Sequence, residues 1–372
     1  MINEERLLAE FLELVQIDSE TKFEREICDT LKEKLIAIGM NVVEDDTMKV
    51  TGHGAGNLLA TLPGNTDGPT IYFTCHMDTV TPGRGIKPKI KDGYVTSDGM
   101  TILGSDDKAG VAALLEGLRV LREQQIPHAT IQALITAGEE SGLVGAKAFD
   151  PKQLQAEYGF ALDSNGKVGE IVVAAPTQAK IRAVVHGKAA HAGVNPQDGI
   201  SAIQVASRAI MRMPLGRVDE DTTANIGVIQ GGEATNIVCP RVDIEAEARS
   251  IEPDKMKVQI DKMKQAFAVA EEEFQTNIEV DVEVMYPGYR YGEEDVVTQK
   301  AMQAVRAVGR EPKLLASGGG SDANVIAGYG IPTVNMAIGY EEIHTTSERM
   351  PIEELNKAAE LVVALARAAI EN

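Results

Sequence analysis

Short apolar segments alternate with helical segments along most of this chain, and that order constrains the fold more than any other feature. Before Pro176, helical periodicity predicts helices at 5–15, 25–38 and 108–122. Compact apolar runs that end at polar or Gly-rich turns lie at Leu58–Leu62, Thr70–Thr74, Thr130–Thr136 and Tyr158–Leu162. Such runs are typical of parallel strands buried on both faces. The sequence therefore predicts an α/β fold with a central, mostly parallel sheet.

The middle of the chain follows a different order. Between residues 177 and 287 the predicted elements run strand, helix, strand, strand, helix, strand, which is the βαββαβ order of a ferredoxin-like sandwich. After residue 288 the earlier alternation returns. A chain of 372 residues also exceeds the length at which a single core stops growing. We therefore predict one domain in two parts, 1–176 and 288–372, with an inserted domain at 177–287.

Charge and cysteine usage narrow the class of protein. A formal net charge of −20 argues against nucleic acid or an anionic membrane as a partner, because binding phosphates requires clustered Lys and Arg. Three widely spaced cysteines favour reduced thiols in a cytosol over a disulfide framework. The N-terminus does not have the pattern of a signal peptide, and no apolar stretch approaches the roughly 20 residues of a membrane span. We expect a cytoplasmic protein.

Side chains that could bind a metal follow two of the predicted strands. His76 and Asp78 stand two residues apart, so the imidazole could bind a cation while the carboxylate accepts its other ring proton. Glu139 and Glu140 lie in a turn flanked by glycines. Because adjacent side chains diverge, one could bind a metal while the other acts as a general base. A capped strand end and a solvated acidic turn explain the same residues without a metal.

Three further motifs become informative only when they are considered together. Asp106 and Asp107 precede the helix predicted from Lys108, where paired carboxylates often only complement the helix dipole. One carboxylate could also bridge two cations through its two oxygens. Asp163 and His344 are uninformative alone, since Asp commonly forms turns and a single His is usually structural. The carboxyl ends of strands in α/β sheets gather the functional loops, so we expect these residues to converge.

The motifs HMD, SDDKAG, GEESG, ALDSNG and IHTTSE occur in the order found in the M20 metallopeptidases, and the chain resembles this family along essentially its whole length. DDKAG and the paired glutamates are most similar to its peptidase T-like branch of tripeptide aminopeptidases. The inserted domain resembles the lid or dimerisation domain of the family. The resemblance implies a zinc-peptidase catalytic domain at 1–176 and 288–372, a lid domain at 177–287, and a homodimer formed through the lid domain.

The resemblance also implies a role for each motif residue. His76, Asp106 and Asp163 would bind one Zn²⁺, and Asp106, Glu140 and His344 would bind the other, with Asp106 as the bridge. Asp78 would orient His76. Glu139 resembles the general base that takes a proton from the water between the metals and passes it to the leaving amine. A cis peptide commonly follows the bridging aspartate in this family, so we expect one between Asp106 and Asp107.

Three residues of the inserted domain match substrate-binding positions of the family. His191 resembles a lid histidine that helps to bind the tetrahedral intermediate, often from the partner subunit. Asn236 and Arg249 resemble residues that hold carbonyl or carboxylate groups of the substrate, the arginine through its bidentate fork. Each of the three could equally be an ordinary polar residue on the surface of a small sandwich.

The function implied is hydrolysis of peptide bonds in short peptides, most directly by an aminopeptidase that uses two Zn²⁺ per subunit. Co²⁺ or Mn²⁺ would accept the same nitrogen and oxygen donors. An M20-type carboxypeptidase and an N-acyl amino acid amidohydrolase would use the same core, so the fold does not distinguish them. A non-catalytic binding protein is the alternative of another class, and it would be expected to lack the base or the bridge. Both Glu139 and Asp106 are present.

Overall fold

A computed structural model describes residues 1–371 of the chain. The chain divides into two compact units. Unit 1 comprises residues 1–174, 291–316 and 321 onward, and unit 2 comprises residues 175–290 and 317–320. The Gly-rich segment 317–320 groups with unit 2 because the Arg249 guanidinium donates a hydrogen bond to the Gly318 carbonyl and Tyr286 lies against Gly320. The domain limits proposed from the sequence differ from this division by these four residues and by a few at each boundary.

Helices and strands alternate along most of the chain. The helices are α1 (Glu4–Val15), α2 (Arg25–Ile38), α3 (Met48–Thr51), α4 (Ser105–Glu123), α5 (Val144–Ala148), α6 (Ala202–Ile210), α7 (Pro253–Phe274), α8 (Val296–Ala307), α9 (Asp322–Gly328) and α10 (Ile352–Ala368). The strands are β1 (Asn41–Glu44), β2 (Leu58–Leu62), β3 (Ile71–His76), β4 (Lys89–Lys91), β5 (Tyr94–Thr96), β6 (Ile131–Thr136), β7 (Tyr158–Ser164), β8 (Glu170–Ala175), β9 (Thr177–His186), β10 (Gly216–Arg217), β11 (Thr222–Gly231), β12 (Arg241–Ser250), β13 (Ile278–Tyr286), β14 (Tyr289–Arg290), β15 (Lys313–Ala316), β16 (Thr333–Ala337) and β17 (Arg349–Pro351).

The main sheet of unit 1 confirms the predicted mostly parallel sheet. Its strand order is β1-β2-β6-β3-β7-β16-β8, and β15 pairs with β8. The four central strands β6, β3, β7 and β16 run parallel to one another, whereas β1, β2 and β8 are antiparallel to their inner neighbours. Every residue of β3 and β6 is buried, as continuous apolar strands covered on both faces require. The carboxyl ends of the four central strands therefore share one edge.

Helix α4 is the central helix of unit 1. It packs against α10, α1 and the buried strand β3, and its apolar residues are buried on almost all sides. Gly117 permits the close approach to α10, because a Cβ at this position would lie 2.5 Å from Val362 Cγ1. A small separate sheet of order β17-β5-β4 covers part of the same unit.

Unit 2 is an antiparallel sheet with two helices on one face. Its strand order is β10-β11-β12-β9-β13, with every pairing antiparallel. In β9 the buried residues Ile181, Ala183 and Val185 alternate with the less buried Arg182 and Val184, which is the pattern of a sheet with one face on a core. Helices α6 and α7 contact the sheet. The order of elements is the predicted βαββαβ, with the two-residue strand β10 added.

The short elements were not predicted from the sequence. Strands β1, β4, β5, β15 and β17 contain three or four residues each, which is too few for a period of alternation to stand out. Over residues 1–371, no helix combines the length and the apolar character that crossing a bilayer requires.

Candidate metal centre

His76 ends β3 with its imidazole buried among carboxylates. Its Nε2 lies 3.1 Å from Asp106 Oδ1 and 3.7 Å from Asp163 Oδ1. Its Nδ1 lies 2.9 Å from the Asp78 backbone carbonyl and 3.6 Å from Asp78 Oδ1. A proton on Nδ1 would therefore be donated to Asp78, leaving the Nε2 lone pair directed at Asp106 and Asp163. This is the tautomer that a metal-binding histidine needs.

Asp78 connects the end of β3 to the turn that follows β6. Its carboxylate accepts hydrogen bonds from the backbone N–H groups of Glu139, at 3.0 Å, and Glu140, at 3.2 Å. Its backbone carbonyl is the nearer partner of His76. Asp78 is fully buried. This one residue therefore fixes the orientation of the His76 imidazole and the position of the turn that carries the paired glutamates.

Asp106 stands at the centre of the cluster. Its Oδ1 faces His76, and its Oδ2 lies 3.2 Å from His344 Nε2. The peptide between Asp106 and Asp107 is cis, which confirms the expectation drawn from the family resemblance. Asp106 and Asp107 also have non-helical backbone angles within the first turn of α4. The two oxygens of one carboxylate thus face two different imidazoles, as a bridging ligand would require.

His344 has a more exposed position than His76. Its Nε2 lies 3.1 Å from Glu140 Oε1, and its side chain is 50% exposed while that of His76 is 2% exposed. Its φ of 60° lies in the left-handed region, which is uncommon for residues other than glycine. His344 therefore depends on its loop, not on a strand, for its position.

Asp163 lies near the end of β7 and is held by two neighbouring elements. The Tyr340 hydroxyl donates a hydrogen bond of 3.0 Å to Asp163 Oδ1. The Asp163 backbone N–H donates to Asn335 Oδ1 at 3.0 Å, and Asn335 Nδ2 donates to the Asp163 carbonyl at 2.7 Å. These bonds link β7 to its parallel neighbour β16 and direct the carboxylate toward His76.

The carboxyl groups of this edge repel one another. Burial raises the pKa of Glu139, and the carboxylates of Asp163 and Asp322 add to the effect while His76 opposes it. Burial likewise raises the pKa of Asp163 and Asp107 and raises that of Asp322 to about 6. For Asp106, hydrogen bonds from His344 and His76 outweigh burial and lower the pKa. The edge thus carries more carboxylates than its two imidazoles can balance.

Two groups of ligand atoms lie close enough to hold cations. One consists of His76, Asp106 and Glu140, and the other of His76, Asp107 and Asp163; within each group the ligand atoms all lie within 4.8 Å of one another. Within residues 1–371 the buried Asp107 Oδ1 has no hydrogen-bond partner. A buried polar atom without a partner is costly, so nitrogen and oxygen donors here fit a divalent cation such as zinc.

The structure also brings to this edge three residues to which the sequence assigned no role at the metal centre. Asp107 is buried, and its Oδ2 accepts a hydrogen bond of 3.2 Å from the His76 backbone N–H. Asp322 accepts a short hydrogen bond from the Thr136 hydroxyl at the end of β6. Glu348, at the end of the IHTTSE motif, accepts a hydrogen bond of 3.1 Å from the Asp106 backbone N–H. In the sequence, only its position four residues after His344 indicated that Glu348 could lie near the metal centre.

The residues predicted in the inserted domain lie in unit 2. His191 is exposed, and its Nδ1 accepts a hydrogen bond of 3.1 Å from the Gly193 N–H. A backbone hydrogen bond of 2.9 Å from Ala192 to Asn236 brings their two loops together. Arg249, at the end of β12, forms an ion pair of 3.0 Å with Glu247. Unit 2 therefore places His191 beside Asn236 and holds Arg249 in a different local network.

The whole chain is similar to known proteins in both sequence and fold. Residues 72–368 match the sequence model of the peptidase family M20/M25/M40. The crystal structure of aminopeptidase PepT from Bacillus cereus ATCC 10987 matches with a TM-score of 0.96 at 61% identity, covering 100% of both chains. A tripeptidase, SAV1512 from Staphylococcus aureus Mu50, matches with a TM-score of 0.97 at 50% identity, also over 100% of both chains. The protein YqjE of Bacillus subtilis strain 168 is 62% identical over 365 residues, 98% of each chain.

Proposed function

We propose that this chain, which belongs to the peptidase family M20/M25/M40, is a metal-dependent aminopeptidase that hydrolyses the first peptide bond of short peptides. The observation that carries the proposal is the convergence of His76 and His344 on the two oxygens of Asp106. The names of the two similar solved structures, an aminopeptidase and a tripeptidase, support the same substrate class.

We propose two Zn²⁺ per subunit, with Co²⁺ or Mn²⁺ as possible substitutes. His76, Asp106 and Asp163 would hold one ion, and Asp106, Glu140 and His344 the other. His344 Nε2 lies 3.2 Å from Asp106 Oδ2 and 3.1 Å from Glu140 Oε1, and this close grouping of three donor side chains supports the second ligand set. When bound, a pair of cations supplies Lewis acidity toward the scissile carbonyl and lowers the pKa of the attacking water.

Glu139 would act as the general base. Its backbone N–H donates a hydrogen bond to Asp78, while the imidazoles of His76 and His344 form ion pairs with Asp106 and Glu140. Burial and nearby carboxylates raise the pKa of Glu139, which suits a group that accepts a proton from water and then delivers it to the leaving amine. Asp78 would hold His76 and the Glu139 turn in their relative positions.

A substrate panel tests the proposal against the other M20 activities. Purified protein loaded with zinc would be assayed with di- and tripeptides that have free or blocked termini, and with N-acetyl amino acids. We expect hydrolysis that requires a free amino terminus. A requirement for a free carboxyl terminus would indicate a carboxypeptidase, and turnover of N-acetyl amino acids alone would indicate an amidohydrolase. No product from any peptide would support the binding-protein alternative.

We further propose a homodimer formed through unit 2. Along β11 the exposed apolar side chains Val228 and Ile229 are 40% and 51% exposed, and β10 covers only the first part of this strand. An uncovered strand edge with apolar side chains favours pairing with another chain. Sedimentation of the wild type and of Ile229→Lys tests this, because a dimer through this edge should dissociate in the variant.

Cytoplasmic location is also a proposal. Cys28, Cys75 and Cys239 are buried free thiols, which suits a reducing compartment. Fractionation of the source cells, with activity followed in each fraction, would test it.

A further inference from the structure

The helix that carries Asp106 begins irregularly. Gly104 is the N-cap of α4 with a φ of 75°, and its position supplies no side-chain hydrogen bond to the helix. Asp106 and Asp107 then depart from helical backbone angles. A helix start leaves several backbone N–H groups without intrahelical partners, so this turn needs an acceptor from elsewhere in the chain.

Glu348 supplies that acceptor. Its Oε2 accepts hydrogen bonds from the backbone N–H groups of Leu103, at 2.8 Å, and Gly104, at 2.9 Å. Its Oε1 accepts from the Ser105 hydroxyl, at 2.6 Å, and from the Asp106 backbone N–H, at 3.1 Å. Glu348 is 1% exposed. Four donors from four successive residues thus converge on one buried carboxylate.

The same carboxylate belongs to the loop that carries His344. Two backbone hydrogen bonds between Glu341 and Arg349, of 2.9 and 3.0 Å, close this loop. Strand β17 then pairs with β5, matching Arg349 with Thr96, so the loop ends beside the segment that leads to Asp106. His344 itself is half exposed and has a left-handed backbone. Within this loop, Glu348 provides the buried polar link to the bridging aspartate.

We propose that Glu348 is the positioning residue that holds Asp106 and His344 at the separation required by the second metal site. The proposal rests on the proposed function, since it concerns the Asp106, Glu140 and His344 ligand set. Glu348 does not touch the substrate in this scheme. It acts through the backbone of Asp106 and through the loop of His344, and its removal loosens both ligands together.

Glu348→Gln tests the proposal with little change in volume. The amide oxygen can keep the bonds from Leu103 and Gly104, and the amide nitrogen can donate to the Ser105 hydroxyl. The Asp106 N–H then faces another donor and loses its acceptor. We expect one of two Zn²⁺ ions to bind about 10- to 100-fold more weakly, the usual effect of removing an outer partner of a metal ligand. The other ion should bind with an affinity closer to that of the wild type.

Glu354→Gln is the matched control. Glu354 is also a buried carboxylate of unit 1, and it accepts a hydrogen bond of 2.7 Å from the Val168 N–H and pairs with Arg310 at 2.7 Å. It contacts none of the candidate ligands in these interactions. Calorimetric Zn²⁺ titrations and the visible spectrum of bound Co²⁺ would be recorded for the wild type and both variants, with unfolding temperatures of the chelator-treated proteins.

The outcomes separate this proposal from the proposed function. Weaker binding of one ion and an altered Co²⁺ spectrum in Glu348→Gln, with wild-type binding in Glu354→Gln, would support the positioning role. Wild-type affinity for both ions in Glu348→Gln would overturn it while leaving the peptidase proposal intact. Equal losses of affinity in both variants would also overturn it, because the effect would then follow from general destabilisation. Absence of metal binding by the wild type would overturn both proposals.

Discussion

Unit 1 contains two groups of buried carboxylates that differ in how their charge is balanced. Between α1, α2 and α4, Glu10 is paired with Arg119 and Lys34, and Glu116 is paired with Arg6. Burial alone would raise the pKa of Glu10, but the hydrogen bonds and charges of Arg119 and Lys34 together outweigh it and lower the pKa. These helices therefore provide cations for their own acids.

At the strand ends the balance is different. Burial raises the pKa of Asp107, Glu139 and Asp163, and His76 and His344 are the partners in the ion pairs of Asp106, Glu140 and Asp163. Perturbed acids gathered at one edge are a mark of functional sites. We conclude that the carboxylates between the helices, Glu10 and Glu116, stabilise the fold alone and form the helical group. The carboxylates at the strand ends form the strand-end group, which is suited to binding added cations.

The sharpest test of this contrast is Glu139→Gln. The variant should lose about 100- to 10,000-fold in kcat, the usual contribution of a general base, while keeping both metals, since Glu139 is not a proposed ligand. Steady-state peptide hydrolysis and elemental analysis would measure the two quantities. Glu123→Gln, an exposed acid of α4, should keep full activity. Wild-type turnover in Glu139→Gln would refute the assigned role.

Removing a cation from the helical group should affect stability without affecting metal binding. Arg119→Met leaves Glu10 buried without its main partner, and we expect a loss of roughly 3 kcal/mol in the free energy of unfolding. Arg367→Met is the control, because its ion pair with Glu371 is exposed and 3.5 Å long. Urea unfolding would measure both. Equal effects in the two variants would contradict the distinction between buried and surface pairs.

The ion pairs of Glu10 should make the stability of the protein depend on pH. The folded pKa of Glu10 is lowered from its ordinary value of 4.5, so its stabilising contribution is present above that value and is lost as the pH falls through the folded pKa. The difference in unfolding temperature between the wild type and Glu10→Gln should therefore shrink in the acid range below pH 4.5. A constant difference across that range would show that the carboxylate charge is not the cause.

Zinc bound at the strand ends should stabilise the folded protein. At a zinc concentration about 100 times Kd, binding to the native state alone raises the free energy of unfolding by about 2.7 kcal/mol per site. Thermal unfolding of chelator-treated protein with and without Zn²⁺ would show this as a higher Tm. Asp106→Asn should reduce the gain at both sites because Asp106 is the proposed bridge. A wild-type gain in that variant would exclude the bridge.

The smallest effect is expected in unit 2, where Arg249 pairs with Glu247 on its own strand. If Arg249 binds a substrate carboxylate or carbonyl, Arg249→Ala should raise KM about tenfold, corresponding to one charge-assisted hydrogen bond of about 1.5 kcal/mol, with little change in kcat. Arg241→Ala is a matched control, since Arg241 pairs with Asp243 two residues away on the same strand. An identical KM in both variants would remove Arg249 from substrate binding.

Much of the fold could be predicted because its signals are local. Continuous apolar runs predicted β3 and β6, and helical periodicity predicted α10. Each of these signals comes from side chains within a single segment. The strand ends then predicted that His76 and Asp106 would meet. The ligand roles themselves stay predictions that the metal titrations will test.

The sequence by itself determined which residue types stand at the strand ends and which order of elements brings those ends to one edge. Only the tertiary structure decided how each side chain is held. Glu348 follows Asp106 by more than 200 residues, and its carboxylate accepts a hydrogen bond from the Asp106 backbone N–H. The Tyr340 hydroxyl likewise donates a hydrogen bond to Asp163, which is distant in the sequence. Such bonds depend on the three-dimensional path of the backbone, because donors and acceptors far apart in the chain have no spacing or period that could identify them as partners.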